Sequence, residues 1–220
     1  MTSFPILIPQ LIPDEHTRLA LSSHQIGMNV VIEESWGRIS NNIQIPYGSE
    51  FESINTQPII PGLYELIEEC SKSHFGLSAV PSYWKWAKYS PLFGIPNVPP
   101  HIDLNACTFT IDLQLDSSIE WELFVEGVPY IMKNGDALLY LGNEQMHWRP
   151  KFPSKSIKHY VEMCFIHFVE PNHAYHTLGE KFHYDPSVKQ EWIKKMNYLL
   201  PKYKCDSYCP FVGGSEFPGY

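Results

Sequence analysis

The ten histidines of this 220-residue chain are the first place to look for chemistry, because imidazole is both an acid–base group near neutral pH and the commonest metal ligand. Two of them open H-x-D triplets, His101-Ile102-Asp103 and His183-Tyr184-Asp185. On a strand, residues i and i+2 point to one face, so a His and an Asp so spaced can grip one metal ion together. With 24 acidic residues in 220, ten histidines yield roughly one such triplet by accident. Order along the chain separates the two. His101 and Asp103 are followed by several strand-like segments and then, 147 − 101 = 46 residues on, by His147 in Glu144-Gln145-Met146-His147-Trp148-Arg149. That gap lets a sheet double back and return His147 beside the first pair. Two histidines and one carboxylate, with positions left open, suit non-haem Fe(II). The second triplet has no histidine after it and is read as the accident.

Other residues with chemistry-bearing types read more simply. His173 and His176 sit in a proline-flanked loop without a carboxylate partner. Cys205 and Cys209 form C-x3-C with no second pair, so a zinc site is not expected. Asp136, between Gly135 and Ala137, is expected to shape a turn. Thr110 and Asp112 lie on the polar face of their strand, where they either line the interior of a barrel or face solvent. The tryptophans at 84, 86, 121, 148 and 192 are expected mostly in the core.

The elements that must position His101, Asp103 and His147 are strands. Tyr83 to Tyr89 is aromatic-rich, and a loop punctuated by proline and glycine runs from Ser90 to Pro100. Asn105 to Leu115 alternates, with Cys107, Phe109, Ile111, Leu113 and Leu115 on one face. Ile119 to Val125 and Val128 to Met132 flank a Glu126-Gly127 hairpin turn. Asn134-Gly135-Asp136 turns into Ala137 to Leu141, and a last strand runs from about His159 to Val169. The first 80 residues read as irregular apart from one helix, opened by Pro61 and stopped by Gly76. Pro186 and Ser187 open a second helix, carrying Val188, Trp192, Ile193, Met196 and Leu199 on one side. The expected organisation is one domain, 1–220: a β-core over about 83–169, a helical and irregular support over 1–82, and a helix and tail over 170–220.

His101-Ile102-Asp103, then Gly135-Asp136-Ala137-Leu138-Leu139-Tyr140, then His147, resembles the double-stranded β-helix of Fe(II)- and 2-oxoglutarate-dependent dioxygenases, and within it the prolyl-4-hydroxylase-like branch. Tyr89, Pro91, Gly94 and Pro100 are similar to the lead-in of that branch. The resemblance spans residues 83–169, about two-fifths of the chain. It implies a mainly β, jelly-roll or cupin-like core with flanking helices, and a metal site of His101, Asp103 and His147. It also implies Fe(II) as cofactor, with 2-oxoglutarate and O2 as co-substrates, and no catalytic side chains beyond the metal site. The implied reaction is oxidative decarboxylation to succinate coupled to hydroxylation of an unactivated C–H bond. Such enzymes hold the far carboxylate of 2-oxoglutarate with a cation on the final strand, about ten residues past the distal His. Lys158, eleven past His147, is nearest that place; Arg149 offers a bidentate guanidinium, and Tyr89 is a further co-substrate contact.

Composition excludes other classes. Hydrophobic residues make up 44% and charged residues 18%, which is not the balance of a disordered chain. Nineteen prolines argue against a helical bundle. A net charge of −8 without a basic run argues against nucleic-acid binding. No run approaches 18 apolar residues, the N-terminus lacks a basic signal-peptide start, and five cysteines without a glycosylation sequon fit a reduced, cytoplasmic protein. Lacking an appended recognition domain, the chain is expected to take a small molecule, such as an amino acid or biosynthetic intermediate, or else a peptidyl residue. The sequence assigns no oligomeric state. The alternatives are a cupin-like metalloenzyme without 2-oxoglutarate, which would carry more ligating histidines, and a non-catalytic β-barrel binding module.

Overall fold

The computed structural model of the chain describes residues 4–16, 18–19, 30–44, 69–70, 72–76, 79–174 and 186–203. In chain order the strands are β1 (Ile6–Ile8), β2 (Val31–Glu33), β3 (Arg38–Gln44), β4 (Val80–Tyr89), β5 (Val98–His101) and β6 (Phe109–Ser117). There follow β7 (Leu123–Val125), β8 (Val128–Tyr130), β9 (Ala137–Tyr140), β10 (His147–Arg149), β11 (Val161–Val169) and the helix α1 (Pro186–Leu199). All pairings are antiparallel and form two sheets, β1-β9-β6-β11-β4-β3-β2 and β5-β10-β7-β8. This is the double-stranded β-helix: strands of the core pass alternately between a major and a minor sheet and enclose a cavity.

Both faces of the major sheet are buried, for different reasons. The alternating apolar set Ile111, Leu113 and Leu115 of β6 joins Trp84 and Trp86 of β4 and Cys164, Ile166 and Phe168 of β11 beneath the N-terminal segments. Each buried indole removes on the order of 200 Å² from water, so this layer supplies much of the fold's stability. Trp86 meets its polar need by donating Nε1–H to Glu162 at 2.9 Å. The opposite face looks into the barrel. One row in register across it reads Leu138, Asp112, Phe165, Lys85, and its neighbour reads Tyr140, Thr110, His167. Thr110 and Asp112 are buried, so the polar side of that alternating strand lines the barrel interior rather than facing solvent.

Among the described residues, β1, β2 and β3 fall in the segment expected to be irregular apart from one helix, and the loop of residues 90–100 ends in a further strand, β5. β5 reads Val-Pro-Pro-His, and proline cannot donate to a ladder; β5 pairs on one side only, with β10, as an edge strand that tolerates proline. β3 reads Arg-Ile-Ser-Asn-Asn-Ile-Gln, and its Arg38 lines the cavity. Residues 69–70 and 72–75 are helical as expected, and the start of that helix at Pro61 lies outside the described residues. The Glu126-Gly127 turn has positive φ at both positions (52° and 82°), as a two-residue hairpin requires. Asp136 shapes its turn, Oδ1 accepting from Gln10 N and Oδ2 from Lys133 N. Of the cysteines, 70, 107 and 164 are buried free thiols, while Cys205 and Cys209 lie outside the described residues. Among the described residues no helix is long and apolar enough to cross a membrane.

α1 closes one end. Trp192 donates its indole N–H to Ile102 O at 2.9 Å, and Met196 packs with Ile102 and Met146. Lys195 donates to Asn143 O at 2.6 Å, so one helix fastens both the segment after β5 and the loop after β9.

Candidate metal centre

His147 lies directly opposite His101 across the β5–β10 pair, and opposite Val125 of β7 on its other side. Pairing in register thus brings together residues 46 apart in sequence. Asp103 does not continue the strand; it sits on the turn after β5, where its N–H donates to Gly142 O at 2.8 Å. Asp103 Oδ1 is 3.6 Å from His101 Nε2 and 3.5 Å from His147 Nε2, and the three donor atoms converge within 4.8 Å.

Each imidazole is oriented by its other nitrogen. His101 Nδ1 lies 2.8 Å from Pro99 O, and His147 Nδ1 lies 2.9 Å from Gln145 O. A carbonyl only accepts, so both Nδ1 atoms carry the proton and each ring presents Nε2 to Asp103 and to a metal. The Asp103 carboxyl would be raised by burial, but the imidazoles of His147 and His101 outweigh this and hold it well below the usual carboxylate range. Burial and the neighbouring His147 push His101 down, whereas for His147 the Asp103 carboxylate outweighs burial and raises it. An ionised Asp between two histidine Nε2 atoms is the donor set that a hard-to-borderline divalent ion takes, and the residues fit non-haem Fe(II).

The turn that holds Asp103 has no room for a side chain opposite it. A Cβ on Gly142 would stand 2.5 Å from Asp103 Oδ2, 2.5 Å from Thr110 Oγ1 and 2.7 Å from Cys107 O. Glycine is required here by close approach rather than by backbone conformation.

The cavity beside the three donors is lined by Trp36, Leu123, Phe165 and Trp192 among its apolar residues. Three cations also line it: Arg149, Lys85 and Arg38. Arg149, at the end of β10, donates to Trp121 O at 2.5 Å, lies over the Trp121 ring and reaches Met163 Sδ on β11 at 3.7 Å. Among the described residues it makes no ion pair. Arg38 pairs with Glu33 and donates to Tyr89 OH at 2.8 Å, and Lys85 lies 3.4 Å from Glu33. Burial, reinforced by Arg38, lowers Lys85 to about 7. Asp112, which accepts from Tyr140 OH at 3.1 Å, is pushed up to about 7 by burial.

Of the residues expected at a site, His101, Asp103, His147, Arg149 and Tyr89 share this one cavity. Lys158 does not line it: it is exposed on the turn ahead of β11, because the last strand begins at Val161 rather than near His159. His176 and His183-Tyr184-Asp185 lie outside the described residues, and His173 does not line the cavity. Lys85 and Arg38 were not anticipated. The signal for Lys85 was present in Trp84-Lys85-Trp86: once the tryptophans face the core, alternation turns the lysine into the barrel.

The sequence matches no family model and no curated protein. Solved structures match in fold. A prolyl-4-hydroxylase from Pseudomonas putida is 12% identical, with a TM-score of 0.51, over 76% of this chain and 92% of its own. The carbocyclase SnoK from nogalamycin biosynthesis, described as non-haem and α-ketoglutarate dependent, is 10% identical with a TM-score of 0.57 over 76% and 79%. HygX from Streptomyces hygroscopicus, solved with nickel, 2-oxoglutarate and hygromycin B, is 8% identical with a TM-score of 0.54 over 76% and 82%. The fold of this chain is that of the 2-oxoglutarate-Fe(II) oxygenases.

Proposed function

We propose that this chain is a non-haem Fe(II)- and 2-oxoglutarate-dependent oxygenase that hydroxylates an unactivated C–H bond of a small molecule. The observation that carries the reading is the convergence of His101 Nε2, Asp103 Oδ1 and His147 Nε2 at one end of a cavity whose wall holds the buried guanidinium of Arg149. His101, Asp103 and His147 would hold the metal, and Fe(II) bound there supplies the redox chemistry with O2. Across the reaction, 2-oxoglutarate, O2 and R–H become succinate, CO2 and R–OH, so every oxygen and electron is accounted for.

The remaining roles belong to the chain. Arg149 is the cation placed to grip the far carboxylate of 2-oxoglutarate, with Tyr89 beside it. Its contact with Met163 supports this, since it carries a guanidinium from β10 over to the final strand, where enzymes of this fold keep their own. Trp36, Phe165 and Trp192 exclude water and favour an apolar portion of substrate. The structural relatives act on or are bound to small molecules in two of the three cases above, which favours the small-molecule reading over a peptidyl one.

The test is succinate formation from 2-oxoglutarate by anaerobically Fe(II)-loaded protein on admission of O2, using wild type, His101→Ala and Asp103→Ala. Succinate from wild type and none from either variant supports the proposal. A wild type that binds Fe(II) and 2-oxoglutarate but yields no succinate, with or without a metabolite mixture, overturns it.

A further inference from the structure

Asp103 presents its two oxygens to different neighbours. Oδ1 faces both histidine Nε2 atoms, while Oδ2 accepts the Thr110 hydroxyl at 3.3 Å. The same Thr110 Oγ1 lies 3.1 Å from His167 Nδ1. A hydroxyl has one proton to donate, and an ionised carboxylate only accepts. With that proton spent on Asp103, the His167 contact must run the other way, Nδ1–H to Oγ1. The three groups form a directed chain, from His167 to Thr110 to Asp103.

The fold builds this chain rather than merely permitting it. Thr110 of β6 and His167 of β11 are partners in register, both are buried, and Gly142 closes the remaining side of Oδ2.

Resting on the metal site proposed above, we infer that Thr110 and His167 are positioning residues that hold Asp103 to a single-oxygen grip on the metal. The chemistry gives this a purpose. A carboxylate that turned both oxygens on the ion would take a fourth coordination position, whereas a bidentate co-substrate and O2 together need three open ones. Holding Oδ2 away from the ion keeps the third position open, and polarising it through Thr110 fixes the carboxylate plane.

The experiment is Co(II) titration of the full-length protein, followed by its visible absorption, with no turnover required. Thr110→Val is expected to weaken Co(II) binding by about tenfold and to change the band pattern, reporting a different coordination number. Thr110→Ser, which restores the hydroxyl, is expected to return both to wild type. His167→Asn keeps an N–H near the position of Nδ1 and should resemble wild type, while His167→Leu should shift binding in the same direction as Thr110→Val. Combining His167→Leu with Thr110→Val should add nothing further, because His167 acts through Thr110. Unchanged affinity and spectrum in Thr110→Val would overturn the inference while leaving the metal site standing. If that variant fails to fold, equal behaviour of His167→Asn and His167→Leu overturns it instead. A wild type that binds no Co(II) removes both this inference and the site it rests on.

Discussion

His101 and His147 face each other across an antiparallel pair, their rings 4.2 Å apart at the centroids and their Nε2 atoms converging on one oxygen of Asp103. Both imidazoles are held by backbone carbonyls behind them and Asp103 by the Thr110 hydroxyl, so the proposed donor set is in place without an ion. A preformed site of this kind should stabilise the fold when filled. At an ion concentration 100 times its dissociation constant, binding to the native state alone adds about 2.7 kcal/mol. Wild type is therefore expected to gain several degrees in Tm with Mn(II) or Fe(II), and His101→Ala, Asp103→Ala and His147→Ala to gain none. Thermal denaturation with and without the ion checks this.

Gly142 gives a sharper test, because it touches no ion. A methyl group there would overlap Asp103 Oδ2, Thr110 Oγ1 and the backbone oxygen of Cys107, and the last of these cannot swing aside. Gly142→Ala should cost about 1–3 kcal/mol in urea denaturation, the usual cost of overpacking. It should also displace Asp103 and abolish metal-induced stabilisation, although all three ligands remain. Retention of normal metal affinity by Gly142→Ala would show that the Asp103 loop shifts freely.

Arg149 and Lys158 divide the expected co-substrate contacts cleanly. Arg149 is buried in the cavity wall, and Lys158 is exposed outside it. Losing a charge-assisted contact to a carboxylate costs about 1.5–3 kcal/mol, so Arg149→Met should raise the KM for 2-oxoglutarate by roughly 10- to 100-fold. Metal affinity should stay unchanged. Arg149→Lys should recover only part of this, since a point charge replaces a bidentate fork. Lys158→Ala should leave the KM within about twofold. Steady-state succinate kinetics across the four proteins measures it.

These contrasts show what could be read in the sequence and what could not. The convergence of His101, Asp103 and His147 was legible because order and spacing survive any detail of the fold. β6, β9 and β11 were legible because a strand between two buried layers leaves a plain pattern. β5 and β10 left none: one is mostly proline and valine, the other three residues long, and both exist through pairing with each other. Lys158 was the natural choice by counting from His147, but counting assumes where the last strand begins. That strand starts at Val161, and the guanidinium that reaches it, at Met163, comes from β10 of the other sheet. Glu33 and Arg38 lie on strands whose polar residues look like loop until the cavity behind them is seen.

The Glu33 cluster makes the stability of this protein depend on acid. Burial opposes ionisation of Glu33, but Arg38 and Lys85 outweigh it and, with a hydrogen bond from Ser40, lower its pKa from 4.5 to about 2. A carboxyl with a depressed native pKa binds protons more readily in the unfolded chain. Its contribution is therefore complete above about pH 4.5 and is lost as the pH falls through about 2, amounting to on the order of 3 kcal/mol. Glu33→Gln removes that titration. It should be less stable than wild type at pH 7, because Arg38 and Lys85 lose the carboxylate they share. Between pH 4.5 and 2 its urea midpoint should fall less steeply than that of wild type, so that the two curves draw together at the acid end. Parallel acid limbs would mean that Glu33 is not held ionised by its two cations.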